Sequence, residues 1–197
     1  MSESFPRQHA RTKRFTLGVP RSFRISPDGD RVVFLRTKSG ADPLTCLWTL
    51  DVPTGKERLV ADPRAMGADE ETLPAEEKAR RERARESHRG IVTYATDRAV
   101  QVAVFALSGR VYAVDLTSPD AEPVEVTTHT PAVDPRPGPD GRMVAYVCDG
   151  VLRVTGLSGK SWDRILADPG GDKNVTYGLP EFIAAEEMDR KIGRAHV

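Results

Sequence analysis

The sequence predicts a mainly β protein, a partial β-propeller of about three blades plus the start of a fourth. Two segments share one order of turns and strands, and a weaker copy lies between them. One charged stretch breaks the β pattern and predicts an inserted helix near 74–89. These three observations carry the fold prediction.

The two clear repeats each begin with a tight turn that contains Pro-Asp-Gly. The turn at 26–29 precedes strand candidates at 31–35, 47–51 and 58–60, and the turn at 138–141 precedes candidates at 142–147, 151–154 and 164–166. Proline presets φ, aspartate bonds the local backbone and glycine accepts positive φ, so the motif suits a turn. The β-branched and aromatic runs that follow favour strands.

The weaker copy has strand candidates at 100–107, 110–116 and 124–127, with a turn at 108–109. Small antiparallel sheets of roughly 40–50 residues are typical of propeller blades, and a propeller needs about 4–8 of them to close. Three units cannot close a ring, so the chain either oligomerises or is incomplete. We expect residues 21–190 to form an incomplete N-terminal propeller domain.

The charged stretch at 74–88 is rich in helix formers and has a proline in its first turn. The pairs Glu76–Arg80 and Glu77–Arg81 are spaced at i, i+4 and support a helix, and Gly90 is a plausible stop. Only alanines could form an apolar face, so we expect this helix to lie on the surface or to project from a blade.

Composition narrows the class of partner. The chain has 29 basic and 29 acidic residues, and a net charge of zero gives no case for nucleic-acid binding. The charge is uneven, because residues 1–24 hold six Arg or Lys against one acid, Glu3. Residues 1–20 are therefore a basic N-terminal arm, either solvated or used in binding.

Other residue patterns bear on location and cofactors. No apolar run suits a signal peptide or a membrane span, and Cys46 and Cys148 lie within strand patterns as expected of buried free thiols. We expect a cytoplasmic protein without a membrane partner. No phosphate-binding loop occurs and no histidine has metal-ligand spacing, so we expect no cofactor or metal. The histidines are His9, His88, His129 and His196.

The last residues are distinguished by the DNA sequence that would encode them. Back-translation of 192–197 matches a common sequencing adapter in one frame, and Lys191 would straddle the junction. We therefore expect 191–197 to be a sequencing artefact and exclude this segment from fold and function. The alternative is an ordinary polar tail.

Three landmarks occur in order along the chain: the opening repeat at 21–29, the arginine-rich helix that leads into 90–94, and the segment 181–190 with two adjacent glutamates. In this order they resemble the dipeptidyl-peptidase IV-like serine peptidases of the prolyl oligopeptidase family. The likeness extends over roughly residues 15–190, and the double-glutamate segment is its most specific part.

The resemblance implies that the intact parent is a serine exopeptidase that releases dipeptides from peptide N-termini. Glu186 and Glu187 would hold the protonated amino terminus of the substrate. Arg85 would bind a substrate carbonyl or carboxylate, with Arg83 and Arg81 as alternates. The propeller would contribute substrate gating and amino-terminus recognition above a C-terminal α/β-hydrolase domain. The family also implies a possible homodimer.

The double-glutamate proposal has a chemical basis. A free α-amine is cationic at neutral pH, and two carboxylates that converge on it make charge-assisted hydrogen bonds. They would also limit how far the peptide enters. Adjacent residues on a regular strand point to opposite faces, so Glu186 and Glu187 can converge only if their segment is irregular or helical.

The catalytic part is expected elsewhere. No Gly-x-Ser-x-Gly motif occurs, and 156–160 comes close but ends in lysine, which favours a hairpin turn. By resemblance, the Ser, Asp and His lie in the hydrolase domain, so this chain has no catalytic residue and is expected to be inactive and to aggregate alone. Two alternatives stay open: a non-catalytic binding or scaffold propeller, and a peptidase-like protein whose hydrolase domain has lost its serine.

Overall fold

Three antiparallel sheets of four consecutive strands form the described part of this protein in a computed structural model. The structure describes residues 3–68, 77–78, 81–82, 88–157, 162–172 and 175–179. The chain divides into two compact units, residues 1–71 with 88–93 and residues 72–87 with 94–197. The mainly β, partial-propeller prediction is confirmed.

The first unit contains the short helix α1 and the first sheet. The sheet is an antiparallel meander of β1, β2, β3 and β4, and a two-residue strand, β5, pairs in parallel with β3. The bounds are Phe5–Arg11 for α1, Arg21–Ile25 for β1, Arg31–Thr37 for β2, Leu44–Asp51 for β3, Lys56–Ala61 for β4 and Arg89–Gly90 for β5.

The second unit contains the second and third sheets, which are also antiparallel meanders in chain order. The second sheet comprises β6 at Ala95–Thr96, β7 at Val102–Leu107, β8 at Arg110–Asp115 and β9 at Val124–Val126. The third comprises β10 at Val133–Pro137, β11 at Met143–Cys148, β12 at Val151–Gly156 and β13 at Asp163–Ala167. Four strands in this order make a propeller blade. The start of a fourth blade, predicted from the sequence, falls after the last described strand.

Sequence patterns located three strands per sheet, and the structure adds a first strand to each. Strands β1 and β10 each begin with a bulge, where Ser22 and Asp134 have φ of 56° and 47°. The bulge breaks the period of two on which strand prediction depends. Strand β6 has only two residues, too few to show any period.

The same turn joins the first and second strands in all three sheets. The N–H groups of Gly29, Val100 and Gly141 donate to the carbonyls three residues earlier, at 2.9, 3.2 and 3.0 Å. Their φ values are 81°, 56° and 68°. Positive φ is easy for glycine but unusual for a β-branched valine. The second sheet therefore forms the turn without the Pro-Asp-Gly signal.

The second sheet holds this turn with one buried carboxylate. Asp97 Oδ1 accepts hydrogen bonds from the backbone N–H of Gln101 at 2.7 Å and of Val102 at 2.8 Å, and Oδ2 accepts from Ala99 N–H at 3.2 Å. In the first sheet two side chains accept the hydrogen bonds of the turn. Ser26 Oγ accepts from Arg31 N–H, and Asp28 Oδ1 accepts from Asp30 N–H. One aspartate thus replaces a serine–aspartate pair.

The core of the second unit lies between its two sheets. Val104 and Val111 of the second sheet pack in one cluster with Val144 and Tyr146 of the third, and all four are fully buried. The two turns also meet, because Arg98 N–H donates to the carbonyl of Pro139 at 3.2 Å. In the first sheet Val33, Leu35 and Leu47 are fully buried on one face of the central strands.

Replacing Asp97 with alanine should destabilise the second unit, because three backbone N–H groups around a buried carboxylate lose their acceptor. Each buried donor left unsatisfied costs about 1–3 kcal/mol, so we expect a loss of at least about 2 kcal/mol in the free energy of unfolding, measured with urea. The matched variant Asp140→Ala removes one bond to Arg142 N–H and an exposed ion pair with the Arg142 side chain at 3.9 Å, and should change stability by about 0.5 kcal/mol or less. Equal effects would contradict this account of the turn.

Candidate functional site

The residues that the sequence assigned to substrate binding lie mostly beyond the described ranges. Glu186, Glu187 and Arg85 all fall outside them, as does the alternate Arg83. Their assignment remains a prediction. Arg81, the other alternate, is described, and it lies in the arginine-rich segment.

Arg81 is buried in an ion pair. Its Nε donates to Glu77 Oε1 at 2.7 Å, and the two side chains are 8% and 17% exposed. Residues 77–78 and 81–82 are helical, so the predicted i, i+4 pair of Glu77 with Arg81 is confirmed. The charge of Glu77 allows the Arg81 guanidinium to be buried. The expectation that the helix lies on the surface or projects from a blade stays a prediction.

The chain returns from this segment to the first sheet through a tight contact. Gly90 has φ of +78°, and a Cβ atom there would lie 2.7 Å from the Thr45 carbonyl oxygen and 2.8 Å from Pro63 Cγ. Ile91 N–H donates to the same Thr45 carbonyl at 3.0 Å. Gly90 therefore belongs to β5 and does not end the helix as predicted, and Arg89 is strand as well. Glycine is needed here for a close backbone approach.

One face of the first sheet carries a cluster of aromatic and charged side chains. The Arg36 guanidinium lies 4.5 Å from the ring centroid of Trp48 and 5.3 Å from that of Phe34. It also donates two hydrogen bonds to Glu57, at 3.0 and 2.5 Å. This cation–π and bidentate arrangement ties β2, β3 and β4 together across the face.

The third sheet has its own polar cluster in the corresponding place. Tyr146, on the second strand of its sheet like Phe34, donates its hydroxyl hydrogen to Asp163 and accepts one from the backbone N–H of His129 at 2.9 Å. Arg153 Nη1 donates to Asp163 Oδ1 at 2.5 Å, and His129 Nε2 lies 3.8 Å from the same oxygen. Burial, followed by the hydrogen bond to Asp163, raises the pKa of Tyr146 well above its usual value.

The second sheet has an aromatic pair and an ion pair on separate residues. Phe105 and Tyr112 stack with their ring centroids 5.7 Å apart, and Arg110 pairs with Glu125 at 3.0 Å near the surface. Sequence reasoning identified none of these three clusters. The cross-strand register would have revealed them, because it places Phe34 opposite Trp48, Phe105 opposite Tyr112 and Tyr146 opposite Arg153.

Both cysteines are buried free thiols, as predicted. Burial, helped by the nearby Asp62 carboxylate, raises the pKa of Cys46 to about 12. A thiol of that kind stays protonated at neutral pH and is a poor nucleophile. Cys46 therefore serves as a small apolar side chain of the first sheet.

The described geometry suits holding strands together. Arg36 and Arg153 each pair with a carboxylate on another strand of the same sheet, and Arg81 pairs with Glu77 within its own helical segment. Within the described ranges, no group of three or more His, Cys, Asp or Glu residues is arranged to hold a metal ion. No helix in that part of the chain is both long and apolar enough to cross a membrane.

Comparison with known proteins gives a likeness of fold. No family model matches the sequence. Among solved structures, the chain is similar to the β-propeller domain of Cps50 (Swd1) from Myceliophteria thermophila, with 13% sequence identity and a TM-score of 0.46. The match covers 75% of this chain and 39% of that domain, so the chain spans about two fifths of its length.

Replacing Tyr146 with phenylalanine should weaken the third sheet, because Asp163 and the His129 N–H each lose a partner within a buried cluster. We expect a loss of about 1–3 kcal/mol in the free energy of unfolding, measured by chemical denaturation. The control Tyr112→Phe retains the ring that stacks on Phe105 and should cost less.

The pH dependence gives a second measure of the same substitution. Because the folded-state pKa of Tyr146 is raised, the unfolded chain releases this proton first, and stability should fall as the pH rises above about 10. The phenylalanine side chain has no phenolic proton to lose, so the Tyr146→Phe protein should show a shallower decline. An identical alkaline decline in both proteins would contradict a buried, hydrogen-bonded Tyr146.

Proposed function

We propose that this chain is the recognition part of a serine exopeptidase that releases dipeptides from peptide N-termini. In this proposal, the propeller blades guide the peptide and hold its amino terminus. An α/β-hydrolase domain outside this chain supplies the serine, aspartate and histidine, and the serine attacks the scissile carbonyl to form an acyl-enzyme that water releases. The 197 residues then bind substrate and gate its access without cleaving it themselves.

The observation that supports the proposal is the arginine-rich segment inserted into the first repeat. Its described positions are helical, and its buried Arg81–Glu77 ion pair matches the predicted helical register. Gly90 returns the chain against Thr45 of the first sheet and Pro63 just after it, so one end of the insertion is held by a contact that tolerates little change. A segment held in this way suits an arginine that must meet a substrate at a fixed position.

The ion pair of Arg81 also distinguishes the three arginines that could bind a substrate carboxylate. Its Nε is committed to Glu77, so Arg81 is the least suited of the three to bind a substrate carboxylate. The proposal therefore assigns this role to Arg85, with Arg83 as the alternate. Glu186 and Glu187 bind the α-amine, and their assignment rests on the resemblance of segment 181–190.

A second candidate function is a non-catalytic binding or scaffold propeller. The observation that favours it is the repeated use of aromatic and charged side chains to tie strands within each sheet. Arg36 with Trp48, Phe105 with Tyr112, and Tyr146 with Asp163 all strengthen the blades themselves. In this candidate the blades present a surface to a protein partner, and no peptide amino terminus is recognised.

The double variant Glu186→Gln and Glu187→Gln separates the two candidates in the protein expressed from its full coding sequence. Charge-assisted hydrogen bonds contribute about 1.5–3 kcal/mol each, so KM for a dipeptide-releasing chromogenic substrate should rise at least about tenfold. The control Glu125→Gln removes an exposed carboxylate that pairs with Arg110 and should leave KM unchanged.

N-acetylation of the peptide supplies an independent comparison. The unmodified protein should bind the free peptide more tightly than its acetylated form, because acetylation removes the positive charge that the glutamates hold. The glutamine variant should bind both forms alike. An unmodified protein that cleaves neither peptide, or binds both equally, would overturn the exopeptidase proposal and favour the scaffold.

A further inference from the structure

An exposed aromatic and basic surface lies near the N-terminus, outside the predicted substrate site. Helix α1, all of whose residues are described, has no buried residue. The rings of Phe5, His9 and Phe15 contact one another with centroids 5.8 to 5.9 Å apart, and the two phenylalanines are 68% and 48% exposed. These three rings, together with the exposed Arg7 and Arg14, are called the N-terminal patch.

The patch is fixed to the first sheet. Leu17 is buried, and Gly18 N–H donates to Thr37 Oγ1 of β2 at 2.8 Å. The turn that links the patch to Leu17 has three consecutive left-handed residues, at 13–15, with φ of 47°, 63° and 61°. Such a run is unfavourable for residues other than glycine, and it places Arg14 and Phe15 side by side at the surface. The patch therefore has a defined shape rather than that of a loose arm.

The charge of the N-terminal segment that carries the patch is one-sided. Residues 1–24 hold six of the 29 basic residues and one of the 29 acidic residues, so the remainder of the chain has a net charge of −5. The one acid, Glu3, pairs with Arg11 at 2.9 Å. Five of the six basic residues are arginines, which bind carboxylates through two parallel hydrogen bonds.

We propose that the N-terminal patch binds an acidic segment of a partner protein that also carries aromatic or other apolar side chains. Exposed phenylalanines next to arginines match the composition of protein interfaces, where aromatic residues and arginine are enriched and lysine is depleted. Arg7 and Arg14 select carboxylates, and the ring cluster receives the apolar side chains of the partner. This role does not depend on the peptidase proposal.

Two other anionic occupants fit less well. Stable binding of a protein to an anionic membrane takes a polybasic patch plus a second apolar signal such as an acyl chain, and the patch offers only two phenylalanine rings for that purpose. Nucleic-acid binding depends on many phosphate contacts, whereas the chain as a whole has a net charge of zero. Binding of a membrane or of a nucleic acid is tested in the same binding experiment as the acidic peptide.

The experiment measures binding of the full chain, held in solution as a fusion, to a fluorescent peptide of alternating Glu and Phe. The reference peptide alternates Gln and Phe. The acidic peptide should bind about tenfold more tightly at low salt, and the double variant Arg7→Glu and Arg14→Glu should remove that preference. The double variant Phe5→Ala and Phe15→Ala should weaken binding of both peptides.

The matched control is Arg98→Glu with Arg142→Glu, which reverses the same number of charges at two exposed sites of the second unit. It should keep the preference for the acidic peptide. Equal binding of the two peptides, or an equal loss in the control, would overturn the proposal. It would also be overturned if phosphatidylserine vesicles, duplex DNA or a second copy of the chain bound the patch and the acidic peptide did not.

Discussion

The tight turn between the first and second strands is the constraint on which the three sheets depend. It sets the direction of the second strand and carries the backbone through a residue with positive φ. In the second unit the turns also contact each other, and a Cβ atom at Gly141 would lie 3.2 Å from Val102 Cγ2. A four-stranded sheet has two faces to cover, so a turn that brings neighbouring sheets together contributes to stability beyond its own hydrogen bonds.

Charged side chains in the described part stabilise the sheets and the helical segment through pairs within the chain. Arg36 between two aromatic rings, Arg153 on Asp163 and Arg81 on Glu77 are all paired with carboxylates of the same chain. Redirecting Arg81 or Arg153 to a ligand is costly, because Glu77 or Asp163, each less than a fifth exposed, would be left without its partner. Both proposals accordingly assign ligand recognition to charges outside these pairs, in the N-terminal patch and at Arg85, Glu186 and Glu187.

The sequence was informative wherever a local signal dictated the structure. Pro-Asp-Gly turns and β-branched runs located nine of the strands, and i, i+4 spacing located the Glu77–Arg81 pair. It failed where tertiary contacts override local preference. Val100 adopts a positive φ, which is typical of glycine, because the Asp97 carboxylate accepts the hydrogen bonds of the turn. Glycine is required at position 90 because the Thr45 carbonyl, distant in sequence, lies against it. The Tyr146 cluster depends on strand register, which is set by partners elsewhere in the chain.

The measurement that tests the central claim most directly is long-read sequencing of the coding DNA through and beyond the codon for Arg190. The account predicts that the frame continues into further blades and then into Gly-x-Ser-x-Gly, followed by an aspartate and a histidine. Glu186 and Glu187 would then belong to a dipeptidyl peptidase. A frame that closes at Val197 in intact DNA would contradict the account, and the chain would be a small binding protein built of propeller blades.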